Sequence, residues 1–121
     1  MKHLSRMIST VSVAAFTFAA SSPAAWALDI DAAKDLAEQN NCKQCHALRK
    51  DKDGPSFLKT AEKYRGKPNA VDEIVKHLTS GKKVKLADGS EENHKIVKTM
   101  PPNDMAQIKN LAEYVLSIQP K

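Results

Sequence analysis

The feature that most constrains this chain is the segment 42–46, which contains both of its cysteines. Cys42 and Cys45 are separated by two residues, and His46 follows directly. Side chains three positions apart are neighbours on one helical turn, so both thiols can reach a common ligand. The imidazole behind them is a third group that binds metals. The fold must therefore be built around whatever this turn holds.

The first 27 residues predict an export signal that is removed from the chain. A short basic start with Lys2 and Arg6 precedes an apolar run over 7–20, and 25–27 has the small-residue spacing that a signal peptidase accepts. The run is interrupted by polar residues and is shorter than the roughly 20 residues that span a bilayer. A retained membrane anchor is therefore the less favoured alternative. We expect cleavage after Ala27 and a single periplasmic domain, residues 28–121.

The predicted mature domain is small and poor in aromatic residues. Removing 27 of the 121 residues leaves 94, with 17 basic against 14 acidic side chains and three aromatic ones. A domain of this size has a small core and often needs a disulfide, a metal or a cofactor to fold stably. A net charge of +3, without an arginine-rich run, argues against nucleic-acid binding. We expect a monomer.

Apolar residues recur at helical spacing in four segments, so the sequence predicts an all-α fold of four short helices. The predicted helices follow Asp29 or Asp31, Ser56, Asn69 and Asp104. No pair of β-strands is evident. The segment 91–98 is expected to form one or two helical turns.

Three kinds of chemistry use two cysteines and a histidine in this arrangement. A thiol–disulfide exchanger uses C-x-x-C, but usually on a βαβ framework that this chain lacks. Zinc would need two more ligands, and His77 and His94 are 17 residues apart, far from the usual compact pair. C-x-x-C-H also attaches haem covalently, with the histidine bound to the iron. An exported chain with few aromatic residues and no other cysteine fits haem best.

A six-coordinate haem iron needs a second axial ligand. Met100 precedes Pro101 and Pro102, which favour an extended, stiff backbone at this position. Met105 falls in the first turn of the last predicted helix, where it is expected to fill a gap in the core. His94 is an alternative ligand, and His77 is expected near a helix C-terminus, where positive charge is favourable. The pattern favours Met100.

The chain resembles the small bacterial class I c-type cytochromes of the periplasm over nearly its whole mature length. Five segments carry the resemblance. They are Cys42-Lys43-Gln44-Cys45-His46, Gly54-Pro55-Ser56-Phe57, residues 61–66, Met100-Pro101-Pro102-Asn103 and residues 111–117. The stretch between Gly81 and Thr99 is longer than the family's usual segment before the methionine.

The resemblance implies a cytochrome c-like fold of about four helices around one covalent haem c. Cys42 and Cys45 would form the thioethers, with His46 as the proximal iron ligand and Met100 as the distal one. The carbonyl group of Pro55 would accept the proton on Nδ1 of His46 and so fix the ring.

The implied function is electron transfer rather than catalysis. With both axial positions filled, no site remains for oxygen or peroxide, and no acid–base pair accompanies the haem. Expected partners are periplasmic redox proteins such as reductases and oxidases, which lysines near Met100 could attract. The alternatives are a haem subunit of a larger enzyme complex and a haem-based sensor with a labile sixth ligand. The lysines near Met100 that could attract such partners are Lys82, Lys83, Lys85, Lys95 and Lys98.

Overall fold

The computed structural model describes residues 27–121, so the predicted export signal lies outside the described residues except for Ala27. Four α-helices dominate this part of the chain, which confirms the all-α prediction. None of the described helices is both long enough and apolar enough to cross a membrane. The helices are α1 (Ile30–Gln39), α2 (Phe57–Tyr64), α3 (Ala70–Ser80) and α4 (Met105–Leu116).

Three of the helices begin at a side chain that accepts a backbone hydrogen bond. Asp29 accepts from the N–H of Ala32 at 3.0 Å, and the Ser56 hydroxyl accepts from the N–H of Lys59 at 3.1 Å. Asp104 accepts from two N–H groups in the first turn of α4. Such caps satisfy donors that a helix start leaves unpaired. These three helix starts agree with the sequence prediction.

The core lies where α4 packs against the other three helices. Ala33 and Ala37 of α1 are buried against α4, which buries Leu111 and Tyr114. Alanine keeps the two backbones close, and burying a side chain such as Leu111 contributes about 1.5–3 kcal/mol. Near the start of α1, Asn110 accepts from the N–H of Asp29 at 2.9 Å and donates to its carbonyl at 2.7 Å. The crossing of α1 and α4 is thus fixed by packing and by paired hydrogen bonds.

Between α3 and α4 the chain forms a short antiparallel hairpin, so the predictions of no strand pair and of helical turns over 91–98 were wrong. Strand β1 (Lys83–Lys85) pairs with β2 (Glu91–Asn93), and Lys85 lies opposite Glu91. The turn between them uses Gly89 at a φ of 88°, which glycine adopts without a steric penalty. The N–H of Ala87 in that turn donates to the carbonyl of Asp53 at 3.2 Å. This long-range contact holds the hairpin beside the loop that follows His46.

Candidate haem site

A cavity of about 640 Å³ opens between the cysteine turn, helices α2 to α4 and the hairpin. This volume lies within the usual range for cofactor sites, about 300–1,000 Å³. Most of its lining is apolar. The groups able to bind or attach a cofactor are Cys42, Cys45, His46, His77 and His94, and the apolar lining includes Phe57, Ile74, Leu78, Val97, Leu111 and Val115.

The cysteine turn brings its three predicted groups to one side of this cavity. Asn41 adopts a left-handed conformation, with φ of 56°, and a 3₁₀ turn over Cys42–Gln44 follows. The carbonyl of Cys42 accepts the N–H groups of Cys45 at 3.2 Å and of His46 at 2.9 Å. Both thiols are half-buried in the cavity wall. Burial raises the pKa of the Cys42 thiol.

His46 is held from two sides. Its Nδ1 lies 2.6 Å from the carbonyl oxygen of Pro55, the contact that the family resemblance implies. A carbonyl only accepts hydrogen bonds, so Nδ1 carries the proton and the lone pair of the neutral ring is on Nε2. The ring also stacks on Phe57, with centroids 5.8 Å apart and planes inclined by 22°. The turn therefore presents one defined nitrogen for metal binding.

Gly54 makes this placement possible, although its sequence pattern predicted no separate role for it. A Cβ at this position would lie 2.6 Å from Cε1 and 3.0 Å from Nδ1 of His46. Real Cβ atoms essentially never approach so closely. The glycine N–H donates to the carbonyl of Cys45 at 2.9 Å. Only a residue without a side chain fits between the loop and the ring.

His94 also lines the cavity, half-buried, and its ring centroid is 6.1 Å from that of His46. Its Nδ1 lies 2.9 Å from the carbonyl oxygen of Lys95. His77, in the last turns of α3, packs beside it with ring centroids 4.3 Å apart. Burial lowers the pKa of both His77 and His94 below the ordinary value, which favours the neutral form of both rings.

Met100 is not brought together with these groups. The residue is 81% exposed, and it is not among the residues that line the cavity. The carbonyl of Met100 accepts from the side-chain amide of Gln107 at 2.9 Å. The neighbouring Thr99 hydroxyl donates to the carbonyl of Pro101 at 2.7 Å and accepts from the N–H of Asp104 at 2.9 Å. These bonds fix the backbone of the loop on both sides of Met100.

Asn40 is a positioning residue that the sequence pattern did not reveal. Its amide donates to the carbonyl of Lys98 at 2.9 Å and accepts from the N–H of Lys98 at 2.8 Å. It also donates to the carbonyl of Leu36 at 2.9 Å, which ties the pair to α1. The sequence around Asn40 indicates only a helix end, and no local pattern points to a partner 58 residues away.

The alternatives to haem gain no support from this arrangement. Within residues 27–121, no group of three or more His, Cys, Asp or Glu side chains is placed to hold a metal ion directly. The same part of the chain has only a two-stranded antiparallel sheet, not a βαβ framework. By contrast, two thiols, a fixed imidazole and an apolar cavity fit a covalently attached haem, which Cys42 and Cys45 would attach and whose iron His46 would bind.

Comparisons with known proteins point to a haem protein of the same class. The family model for cytochrome c matches residues 30–119. Cytochrome c-552 of Hydrogenobacter thermophilus is 34% identical over 88 residues, covering 71% of this chain and 81% of that protein. The crystal structure of the class 1 cytochrome MtoD from Sideroxydans lithotrophicus ES-1 is 50% identical, with a TM-score of 0.70, covering 76% and 98% of the two chains. Nitrosomonas europaea cytochrome c552 is 26% identical with a TM-score of 0.56, covering 71% and 99%.

Fold and site together define a small all-α protein with one covalently bound haem c at its centre. The chain belongs to the cytochrome c family, as a small monohaem class I cytochrome. The resemblance drawn from the sequence motifs is therefore confirmed. Its relatives are electron-transfer proteins.

Proposed function

We propose that this protein is a periplasmic electron carrier and not an enzyme. It would pass single electrons between redox proteins through a haem attached at Cys42 and Cys45. The observation that carries the proposal is His46, whose Nδ1 is bonded to Pro55 and whose ring faces an apolar cavity with both thiols at its wall. When bound, haem supplies an iron that changes its charge by one unit.

The protein's part in this chemistry is to hold and shield the group. The Pro55 carbonyl fixes the tautomer and orientation of His46, which keeps one nitrogen directed at the metal. The apolar lining excludes water and favours the less charged, ferrous state. We expect both axial positions to be filled by side chains, which leaves no coordination site for a substrate. Met100 as the distal ligand stays a prediction, and it requires the exposed side chain to turn into the cavity.

Export and cleavage after Ala27 complete the proposal. The protein that carries the covalent haem would be the exported one, and its mature domain would comprise residues 28–121. The test is the mass and N-terminal sequence of the protein released from the periplasm by osmotic shock. A mature N-terminus at Leu28 and the added mass of one haem are expected. Retention in the membrane fraction would contradict the location.

Docking of partners would occur at the cavity mouth. Lys85 and Lys95 line the cavity and are exposed, and three further exposed lysines lie close to them in sequence. Their common charge suits transient contact with an acidic surface on a reductase or oxidase, which raises the association rate and is weakened by salt. The three further lysines are Lys82, Lys83 and Lys98.

The decisive experiment is a redox titration of the purified mature protein. A reversible one-electron couple is expected, with no peroxidase or oxidase turnover and no carbon monoxide binding by the ferrous form. Carbon monoxide binding at neutral pH would favour a sensor with a labile ligand. Stable co-purification with a larger enzyme would favour a subunit role. A colourless product, or haem released by acidified acetone, would refute covalent attachment and with it the proposal.

A further inference from the structure

We infer that Asp51 acts on His46 through the peptide group that joins Pro55 to Ser56, and that it thereby lowers the reduction potential of a haem iron bound at His46. This inference rests on the proposed haem site and deepens it, because it identifies a side chain that sets the potential of that site. Asp51 is not among the residues that line the cavity. It is therefore a positioning residue that acts only through its neighbours.

The peptide group between Pro55 and Ser56 is hydrogen-bonded at both ends. Its carbonyl oxygen lies 2.6 Å from Nδ1 of His46, and its N–H donates to Oδ1 of Asp51 at 2.8 Å. The carbonyl and the N–H belong to one planar, conjugated unit. Asp51 and the ring of His46 are thus joined by two consecutive hydrogen bonds through a single amide.

An amide that donates to a carboxylate becomes a better acceptor at its own oxygen. Consecutive hydrogen bonds polarise one another, by about 10–30% per bond, and a bond to an ionised group is about twice as strong as a bond between neutral groups. The charge of Asp51 therefore strengthens the bond from Nδ1 of His46 to the Pro55 carbonyl. A stronger bond at Nδ1 makes Nε2 more basic, and a more basic ligand stabilises ferric over ferrous iron.

The carboxylate of Asp51 is held in this position by its other contacts. Its Oδ2 forms an ion pair with Lys59 in the first turn of α2, and its backbone pairs with that of His46 in an isolated β-bridge. The buried Ser56 presents its N–H to the carboxylate while its hydroxyl caps α2. Lys59 and the Ser56 N–H lower the pKa of the Asp51 carboxyl, which keeps it in the charged form.

Two substitutions of Asp51 separate the effect of its charge from a purely structural role. Holding the loop in place needs only an oxygen atom that accepts from the Ser56 N–H. Asp51→Asn keeps such an oxygen and removes the charge, whereas Asp51→Ala removes both. The matched control is Glu38→Gln, which removes the same charge from another exposed ion pair, with Lys43, and leaves the peptide group beside His46 untouched.

The experiment measures the reduction potential of the purified holoproteins by redox titration, and follows the Nδ1–H of His46 by NMR of the ¹⁵N-labelled ferrous form. Each titration is run at low salt and at 1 M salt, where the Debye length is about 3 Å. The Asp51 side chain is 46% exposed, so salt screens its charge through space but leaves its hydrogen bond intact.

In Asp51→Asn we expect the ratio of ferrous to ferric protein at a fixed solution potential to rise about twofold or more. This rise should persist at 1 M salt, and the Nδ1–H of His46 should resonate further upfield and exchange faster with solvent. Asp51→Ala should show the same changes to a larger extent. Glu38→Gln should leave the Nδ1–H signal unchanged and the potential at 1 M salt equal to that of the wild type.

A wild-type potential and Nδ1–H signal in Asp51→Asn would overturn the inference and leave Asp51 a structural role alone. A change in potential that 1 M salt abolishes would overturn it too, because the effect would then act through space. Should Asp51→Ala fail to fold, Asp51→Asn decides. Haem that stays on the wild-type chain in acidified acetone, with either of these results, contradicts only the inference. Haem that is absent or extractable contradicts the proposed site as well.

Discussion

Replacing Gly54 by alanine tests most directly how the fold holds the imidazole ring of His46. The added Cβ would lie 2.6 Å from Cε1, 3.0 Å from Nδ1 and 3.2 Å from Nε2 of His46. Gly54 is not one of the glycines with positive φ, so alanine can adopt its backbone conformation. The whole effect must therefore come from the clash with the imidazole ring. To relieve it, the ring must tilt away from the loop that carries Pro55.

The expected cost follows from two contributions. Overpacking of a filled site costs about 1–3 kcal/mol, and weakening the bond between His46 and Pro55 costs about 1 kcal/mol. The free energy of unfolding should therefore fall by about 2–4 kcal/mol. Because 1 kcal/mol corresponds to about 4–8 °C in a domain of this size, Tm should fall by at least about 8 °C.

The assay pairs thermal unfolding with the haem spectrum of the same sample. Gly89→Ala is the matched control, because Gly89 has a φ of 88° and a methyl group added there would meet no atom within 4 Å. Forcing alanine into that conformation costs about 1–2 kcal/mol without touching the site. Both variants should lose stability, but only Gly54→Ala should also change the absorption spectrum and the reduction potential. A Gly54→Ala protein with wild-type Tm and spectrum would refute the account of how His46 is held.

Three further predictions concern the surroundings of the site. Asn40→Ala removes both bonds to Lys98, so it should lower the free energy of unfolding by about 1–3 kcal/mol and shift the reduction potential. The control is Asn110→Ala, which breaks a similar pair of bonds near the start of α1 and should lower the free energy of unfolding without changing the potential. Ser56→Ala removes the cap of α2 and should cost about 1 kcal/mol in urea unfolding, with an unchanged result counting against the cap. Replacing Lys95 by glutamate should slow electron transfer from an acidic redox partner and reduce its dependence on salt, and a rate independent of ionic strength in the wild type would contradict steering.

Local signals predicted the helices because their causes are local. Asp29, Ser56 and Asp104 each cap a helix through atoms two or three residues away, so the spacing in the sequence is the spacing in the structure. The alanines of α1 and the large residues of α4 also recur with the helical period. The hairpin has no such signal. Its strands are three residues long and mostly exposed, so they show no apolar alternation, and their placement depends on a distant contact with Asp53.

The contact between His46 and Pro55 could also be predicted from the sequence, whereas the residues on the opposite side of the cavity could not. His46 and Pro55 are nine residues apart in one loop, and the C-x-x-C-H motif over residues 42–46 indicates that His46 binds a haem iron. Gly54 acts through its close approach to the ring of His46, which neither composition nor periodicity of the sequence reveals. The proline pair after Met100 constrains the backbone, but it does not determine the direction of the methionine side chain. His94 lies in a segment without a clear periodic pattern, and its place at the cavity depends on the hairpin before it and on the bonds between Asn40 and Lys98 after it.

The long segment before Met100 and the shielding of the haem site are connected by one physical argument. The extra residues form the hairpin, and the hairpin carries His94 to the cavity while its turn rests against the loop that follows His46. A cavity lining that keeps water away from a haem favours its less charged, ferrous state. Replacing His94 by alanine removes one of the side chains that line the cavity and should lower the reduction potential of the bound iron. A potential equal to that of the wild type would mean that this part of the hairpin segment does not shield the haem.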